Sequence, residues 1–257
     1  MFGIFKKKKE IAVAVKEEQV ENFADIRDLL AYFKNETGID FATKEKIITT
    51  KLTNFCRNRG FYDFESFLNN IKADYSLKQE LIDYLTVNET YFYREFRQIE
   101  ELVQKVKESK ESVKILCIPS STGEEPYSIA IALLEANITR DKFEIVGIDI
   151  NSEVIDSAKN AIYKSRSLYK LPSSVREIYF NQKEESYHLL ERVKKLVSFK
   201  VVNLFDDAFL SLGKFDYIFC RNMMIYFDEP TKQKAKSRLE LLQKDTYSKI
   251  FLGHADS

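Results

Sequence analysis

At 257 residues the chain can bury one substantial core plus a small companion domain. Lysine plus arginine and aspartate plus glutamate number 40 each, so no overall charge draws it to nucleic acid or to a membrane surface. No apolar run approaches the roughly 18 residues of a spanning helix, and a short apolar start followed by Lys6 to Lys9 reverses the order of a secretory signal.

Residues 1–20 read as a flexible tail, with Lys6 to Lys9, a small apolar patch from Ile11 to Val15, then mixed charge. A lysine run that touches acidic partners is the alternative reading. Residues 21–87 show only helical periodicity. Phe23, Ile26, Leu29, Leu30 and Phe33 share one face, and so do Ile47, Ile48, Leu52, Phe55 and Cys56. Phe64, Phe67, Leu68 and Ile71 form a third face, and Leu77, Leu81, Ile82 and Leu85 a fourth. Gly38 and Gly60 sit where helix stops are expected, so the pattern predicts a small helical bundle. Its Lys44, Lys46, Lys51, Arg57 and Arg59 are either a solvated face or a surface that meets an acidic helix. The segment Asn88–Arg94 then joins the two halves as a helix start, with Asn88 as N-cap and Tyr91, Phe92 and Phe96 packing inward.

From Val113 the pattern changes to strands alternating with helices. Val113 to Ile118 is a β-branched run, Ser121 to Ser128 reads Ser-Thr-Gly-Glu-Glu-Pro-Tyr-Ser, and Ile129 to Leu134 returns to helical spacing. Such a junction is where open α/β sheets bind nucleotide-like ligands, because strand ends and helix amides converge there. Gly123 permits close backbone approach, and Pro126 suits a first helical turn. Glu124 and Glu125 would repel a pyrophosphate but suit a ligand bearing positive charge or hydroxyls. That points away from NAD and toward S-adenosylmethionine. Phe143 to Ile150 is a second strand, and Asp149 follows Gly123 by about 26 residues, near where an acid would meet ribose hydroxyls. Ser152 to Ile162 reads as a helix, and residues 187–202 as a small strand pair leading to Val201–Leu204. Phe215 to Cys220 is a buried strand, Glu229-Pro230 opens a helix through Leu242, and Lys249 to Gly253 closes with a strand. The alternation predicts a largely parallel sheet covered on both faces. Cys56, Cys117 and Cys220 read as buried thiols of a reducing cytosol, and His188 and His254 offer no metal cluster.

Asn88-Glu-Thr-Tyr-Phe-Tyr-Arg94, Ser121–Ser128, Gly147–Ile150, Val202–Leu204, Phe219–Asp228 and Phe251–His254 occur in an order that resembles the CheR-type protein-glutamate O-methyltransferases. The resemblance covers nearly all of residues 21–257. It implies a helical domain over 21–87 and a class I S-adenosylmethionine-dependent methyltransferase domain over 88–257. That Rossmann-like α/β domain would carry a small antiparallel β-subdomain at about 179–200. The implied cofactor contacts are Asn88, Thr90, Arg94, Glu125, Asp149, Asn203, Leu204, Arg221 and Asn222. Arg94 and Tyr226 are the implied catalytic pair, Arg94 because a guanidinium can hold a carboxylate through two hydrogen bonds. Tyr226 as core packing is the competing reading, and Glu124 is expected to face solvent or to act as a helix-start charge.

The implied reaction moves a methyl group from S-adenosylmethionine to a glutamate of a chemoreceptor, leaving S-adenosylhomocysteine. A cytoplasmic monomer recruited to receptor arrays is expected, meeting the receptors' cytoplasmic signalling domain, with no nucleic acid partner and no membrane insertion. Three departures from the family pattern stand out. Ile118-Pro119-Ser120 replaces small residues or glycine, which predicts a stiffer loop. The stretch between Tyr179 and Val197 is short and lacks glycine, so the grip on a receptor C-terminal peptide seen in some relatives is not implied. The chain also stops soon after Gly253-His254, and a further strand or helix is expected beyond it. The rivals are a small-molecule methyltransferase, a receptor-binding adaptor without activity, and a nicotinamide enzyme.

Overall fold

A computed structural model describes residues 21–256. The predicted tail, with Lys6 to Lys9, lies outside them. Four helices form the first domain: α1 (Arg27–Thr37), α2 (Glu45–Arg57), α3 (Phe64–Ala73) and α4 (Tyr75–Leu85). Asp63 and Asp74 cap α3 and α4 by accepting from main-chain amides, and Gly38 stops α1 in a left-handed conformation at φ +77°. The four predicted apolar faces meet in one core around Leu29, Leu52, Phe55, Phe67 and Leu81. Ile47 is the exception, 64% exposed on α2 instead of packed with Ile48.

After α5 (Phe96–Glu108), strand β1 (Val113–Cys117) leads through α6 (Glu124–Glu135) to β2 (Phe143–Asp149) and α7 (Ser152–Asn160). Next come β3 (Ile162–Lys164), α8 (Ser173–Tyr179), β4 (Phe180–Lys183), β5 (Ser186–Leu189) and a short α9 (Glu191–Lys194). The chain finishes through β6 (Val197–Val201), α10 (Asp207–Leu210), β7 (Tyr217–Cys220), α11 (Glu229–Glu240) and β8 (Lys249–Leu252). Five strands form a parallel sheet in the order β6-β2-β1-β7-β8, and β3-β5-β4 form a separate antiparallel sheet. Along β1, Ile115 and Cys117 face one core with α5 and α6, while Leu116 and Ile118 face another with α10 and α11. Helices on both faces explain the near-continuous apolar reading of β1, β2 and β7.

The small sheet differs from its predicted bounds. Val197–Val201 is an edge strand of the main sheet, paired with β2, and the third strand of the small sheet is Ile162–Lys164. An edge strand with a half-exposed pattern reads in sequence like part of an exposed hairpin. No helix among the described residues is long and apolar enough to cross a membrane.

Candidate active site

The chain leaves β1 in opposite directions, to β2 on one side and later to β7 on the other, and this switch point opens a crevice at the strands' carboxyl ends. Ile118-Pro119 is a cis peptide, the Ser120 amide donates to the Ile148 carbonyl at 2.8 Å, and Ser121 sits at φ +46°. The stiff loop expected there is thus a tight turn fastened to β2. Space below it is closed: a Cβ at Gly147 would lie 2.7 Å from the Phe199 ring. Glu124 opens α6 but does not face solvent. It is 2% exposed, accepts from the Thr122 hydroxyl at 2.6 Å, and burial raises its pKa.

Asp149 ends β2 inside this turn. Its carboxylate accepts from the amides of Ser121 at 2.8 Å and Asn151 at 3.0 Å, fastening the two ligand-facing loops together. Burial pushes its pKa up to about 6 against those hydrogen bonds. Each carboxylate oxygen keeps a lone pair for a hydroxyl.

Arg221 and Glu125 form a buried ion pair, and an Arg221 Nη1 also donates to the Arg94 carbonyl at 2.8 Å. Burial raises the Glu125 pKa and the guanidinium opposes it. The other oxygen of Glu125, Oε1, is buried with no hydrogen-bond partner, and Glu125 is among the residues that line the crevice. An unpartnered carboxylate oxygen there fits a cationic donor, as the α-amino group of S-adenosylmethionine would be.

Asn88 is not a helix N-cap, because α5 begins only at Phe96. Residues 88–95 instead run as an irregular segment held from several sides. The Ser121 hydroxyl donates to the Asn88 carbonyl at 3.0 Å, the Phe92 amide to Ser167 O at 2.9 Å, and the Tyr93 amide to the Ser128 hydroxyl at 3.0 Å. Tyr93 and Glu95 both take positive φ, at 61° and 49°, so the chain turns sharply on either side of Arg94. Phe92 is buried as predicted, whereas Tyr91 and Phe96 are half-buried. Arg94 donates to the Glu89 carbonyl at 3.2 Å and lies 5.6 Å from the Tyr91 ring centre. Among the described residues no carboxylate pairs with Arg94, while Arg221 is paired with Glu125 and bonded to the Arg94 carbonyl.

The Asn203 side chain serves the domain boundary. Its Nδ2 donates to the Glu36 carbonyl at 2.6 Å and its Oδ1 accepts from Phe205 at 2.9 Å, so the amide joins α1 to the sheet. That leaves only its main chain, with Leu204, toward a ligand. Asn222, at φ +60°, and the turn Met224–Tyr226 hang on Asp256, whose carboxylate accepts from the amides of Asn222 and of Met224, the latter at 2.8 Å. Burial raises the Tyr226 pKa and Arg94 opposes it, and both residues line the crevice.

Asn88, Thr90, Arg94, Glu125, Asp149, Asn203, Leu204, Arg221, Asn222 and Tyr226 all line one crevice of about 570 Å³. The helical domain supplies the opposite wall, with Thr37, Ile39, Asp40, Phe41, Lys44, Ile47, Lys51 and Leu85. The motif run Ser121–Ser128 did not show that Ser128 holds the Tyr93 amide, and no local pattern marks Asp256. Sequence reading also missed Asp83, whose carboxylate accepts from the Ser152 amide at 2.7 Å across the domain boundary.

A family model described as CheR methyltransferase, all-alpha domain matches residues 24–86, and one described as CheR methyltransferase, SAM binding domain matches 88–257. A chemotaxis protein methyltransferase of Campylobacter jejuni is 36% identical over 233 residues, covering 90% of this chain and 88% of that protein. One of Borreliella burgdorferi is 33% identical over 250 residues, covering 91% and 88%. A probable biofilm formation methyltransferase, WspC of Pseudomonas putida, is 31% identical over 88% of this chain and 55% of its own length. A TehB-like SAM-dependent methyltransferase structure from Corynebacterium glutamicum aligns at TM-score 0.36 and 13% identity over 62% of this chain and 67% of that one. Two matched domains meet at a crevice whose acceptors suit a sulfonium nucleoside, and the chain belongs to the CheR methyltransferase family, with S-adenosylmethionine as its cofactor.

Proposed function

We propose that the protein methylates glutamate side chains on the cytoplasmic signalling helices of chemoreceptors, giving glutamate methyl esters in sensory adaptation. The observation that carries this reading is Arg94, a guanidinium with no carboxylate partner among the described residues, which lines the same crevice as Tyr226. When bound, the cofactor supplies an electrophilic methyl group on a sulfonium. Asp149 would hold its ribose hydroxyls, Glu125 its amino group, and the main chain at Asn203-Leu204 the edge of its adenine. Arg94 would orient the acceptor carboxylate, with the Tyr226 hydroxyl as a second donor. A glutamate is ionised at neutral pH, with an ordinary pKa of about 4.3, so no general base is needed. The chain's work is alignment and exclusion of water.

The rim fits a helical, acidic acceptor. Lys44, just before α2, and Ile47 and Lys51 on it line the crevice together with Tyr91 and Ile225. The same reading has the protein acting as a cytoplasmic monomer at receptor arrays.

Incubation with methyl-labelled S-adenosylmethionine and a receptor signalling domain tests the reading. Label that is released by base and maps to glutamates is expected. Label retained through base treatment, or carried by a small molecule and never by receptor, would overturn it.

A further inference from the structure

The helical domain reaches the acceptor side of the crevice from α1 and from the loop that follows it, residues 38–41. The Asp40 amide donates to the Tyr226 carbonyl at 2.9 Å. Lys34 Nζ, one turn back on α1, lies 2.7 Å from Asp40 Oδ2 and 2.7 Å from Asp228 Oδ2. Asp228 also caps α11 by accepting from the Thr231 amide at 3.0 Å. A single ammonium therefore holds the segment Tyr226–Asp228 twice: directly at Asp228, and through Asp40 at the Tyr226 carbonyl. Gly38 makes the close approach possible, since any side chain there would collide with the Phe205 ring.

We propose that Lys34 is a positioning residue for methyl transfer, fixing Tyr226 relative to Arg94 from the helical domain. This rests on the reading of Tyr226 as an acceptor-side donor. Exposure separates the idea from a plain fastening role. The Lys34, Asp40 and Asp228 side chains are 34%, 25% and 33% exposed, so these ion pairs add little to stability. Placement of a reacting group is far more sensitive, because displacements of an ångström change rates by orders of magnitude. Lys34 accordingly matters more to turnover than to folding.

The test is a set of steady-state assays on the full chain with receptor signalling domain as acceptor, beside calorimetric binding of S-adenosylhomocysteine. Lys34→Met is expected to lower kcat about tenfold, with Kd for S-adenosylhomocysteine unchanged. Lys34→Arg should recover most of the loss. Asp228→Asn keeps a capping oxygen for Thr231 and should reproduce the loss. In a Tyr226→Phe background, Lys34→Met should cost nothing further, since the two act as one unit. An unchanged kcat in Lys34→Met, beside an impaired Tyr226→Phe, overturns the proposal and leaves the role of Tyr226 standing. Losses that multiply in the double variant do the same. A fully active Tyr226→Phe removes the role of Tyr226 and the proposal with it. Should Lys34→Met fail to fold, Asp228→Asn, alone and in the Tyr226→Phe background, decides by the same criteria.

Discussion

Asp149 shows how burial sets up a binding group. Its pKa rises from 3.8 to about 6 because desolvation outweighs its main-chain amide hydrogen bonds. The folded protein thus holds that proton more tightly than the unfolded chain. The group favours folding most below about pH 4, and the benefit fades as pH rises to about 6. Cofactor binding runs the opposite way, since hydroxyl recognition uses the ionised form. Calorimetry should find S-adenosylhomocysteine bound about tenfold more weakly at pH 5 than at pH 7.5. Asp149→Ala should lose roughly 1–3 kcal/mol of binding at pH 7.5 and become insensitive to pH across this range. Equal affinity at both pH values in the wild type would remove the carboxylate from the site. The sequence already marked this residue, because a strand-end acid after a glycine turn is a local pattern. It did not show that Glu125 and Arg221 bind each other, as the two are far apart in the chain and their pairing depends on how α6 and β7 lie across the sheet.

At the scale of elements, the turn after β7 depends on a residue from beyond β8. Asp256 is 4% exposed and its amide hydrogen bonds hold Asn222, just before the turn that carries Tyr226, and Met224 at its start. Asp256→Ala leaves those amides without an acceptor and should destabilise the protein by about 1–3 kcal/mol. Thermal unfolding measures the stability loss, and weaker S-adenosylhomocysteine binding should accompany it, because Asn222 lines the crevice. A variant with unaltered melting and binding would show the turn to be held by β7 alone. The elements that were legible are the long and periodic ones, such as α1 to α4 and the buried strands β1 and β2. Those that were not are short. Ile162–Lys164 has three residues and gains its strand conformation only from pairing with β5. Val197–Val201 has polar residues on its open side, so its pattern did not reveal a place in the parallel sheet.

For the whole molecule, the basic surface of α2 is smaller than the sequence suggests. Arg57 is paired with Glu21 at 2.5 Å, and Arg59 with Glu80 at 2.7 Å while resting on the Phe55 ring. Lys44, Lys46 and Lys51 remain exposed without a carboxylate partner among the described residues, and Lys44 and Lys51 border the crevice. Reversing these three to glutamate should slow receptor methylation several-fold at low salt and less at high salt, as expected for steering of an acidic partner. Cofactor affinity should stay unchanged. Arg57→Glu should do less to the rate, since that charge is already answered within the domain. If the triple variant methylates receptor normally at low ionic strength, these lysines are a solvated surface only.

The crevice has walls from two separate cores, and this gives the ligand a mechanical role. Asn203 to Glu36, Asn151 and Ser152 to Asp83, Gln79 to Ile150, Asp40 to Tyr226 and Lys34 to Asp228 join the two bodies through polar contacts. A molecule seated between Leu85 or Ile39 on one side and Asp149 or Leu204 on the other becomes one more bolt. At a hundredfold excess over Kd, its binding adds about 2.7 kcal/mol against any opening that separates the walls. Hydrogen exchange should therefore slow on α1 and α4, in a domain that carries none of the strand-end motif, as strongly as on the loops after β1 and β2. Exchange in the helices that ignores S-adenosylhomocysteine would mean that the cofactor is gripped from the sheet alone.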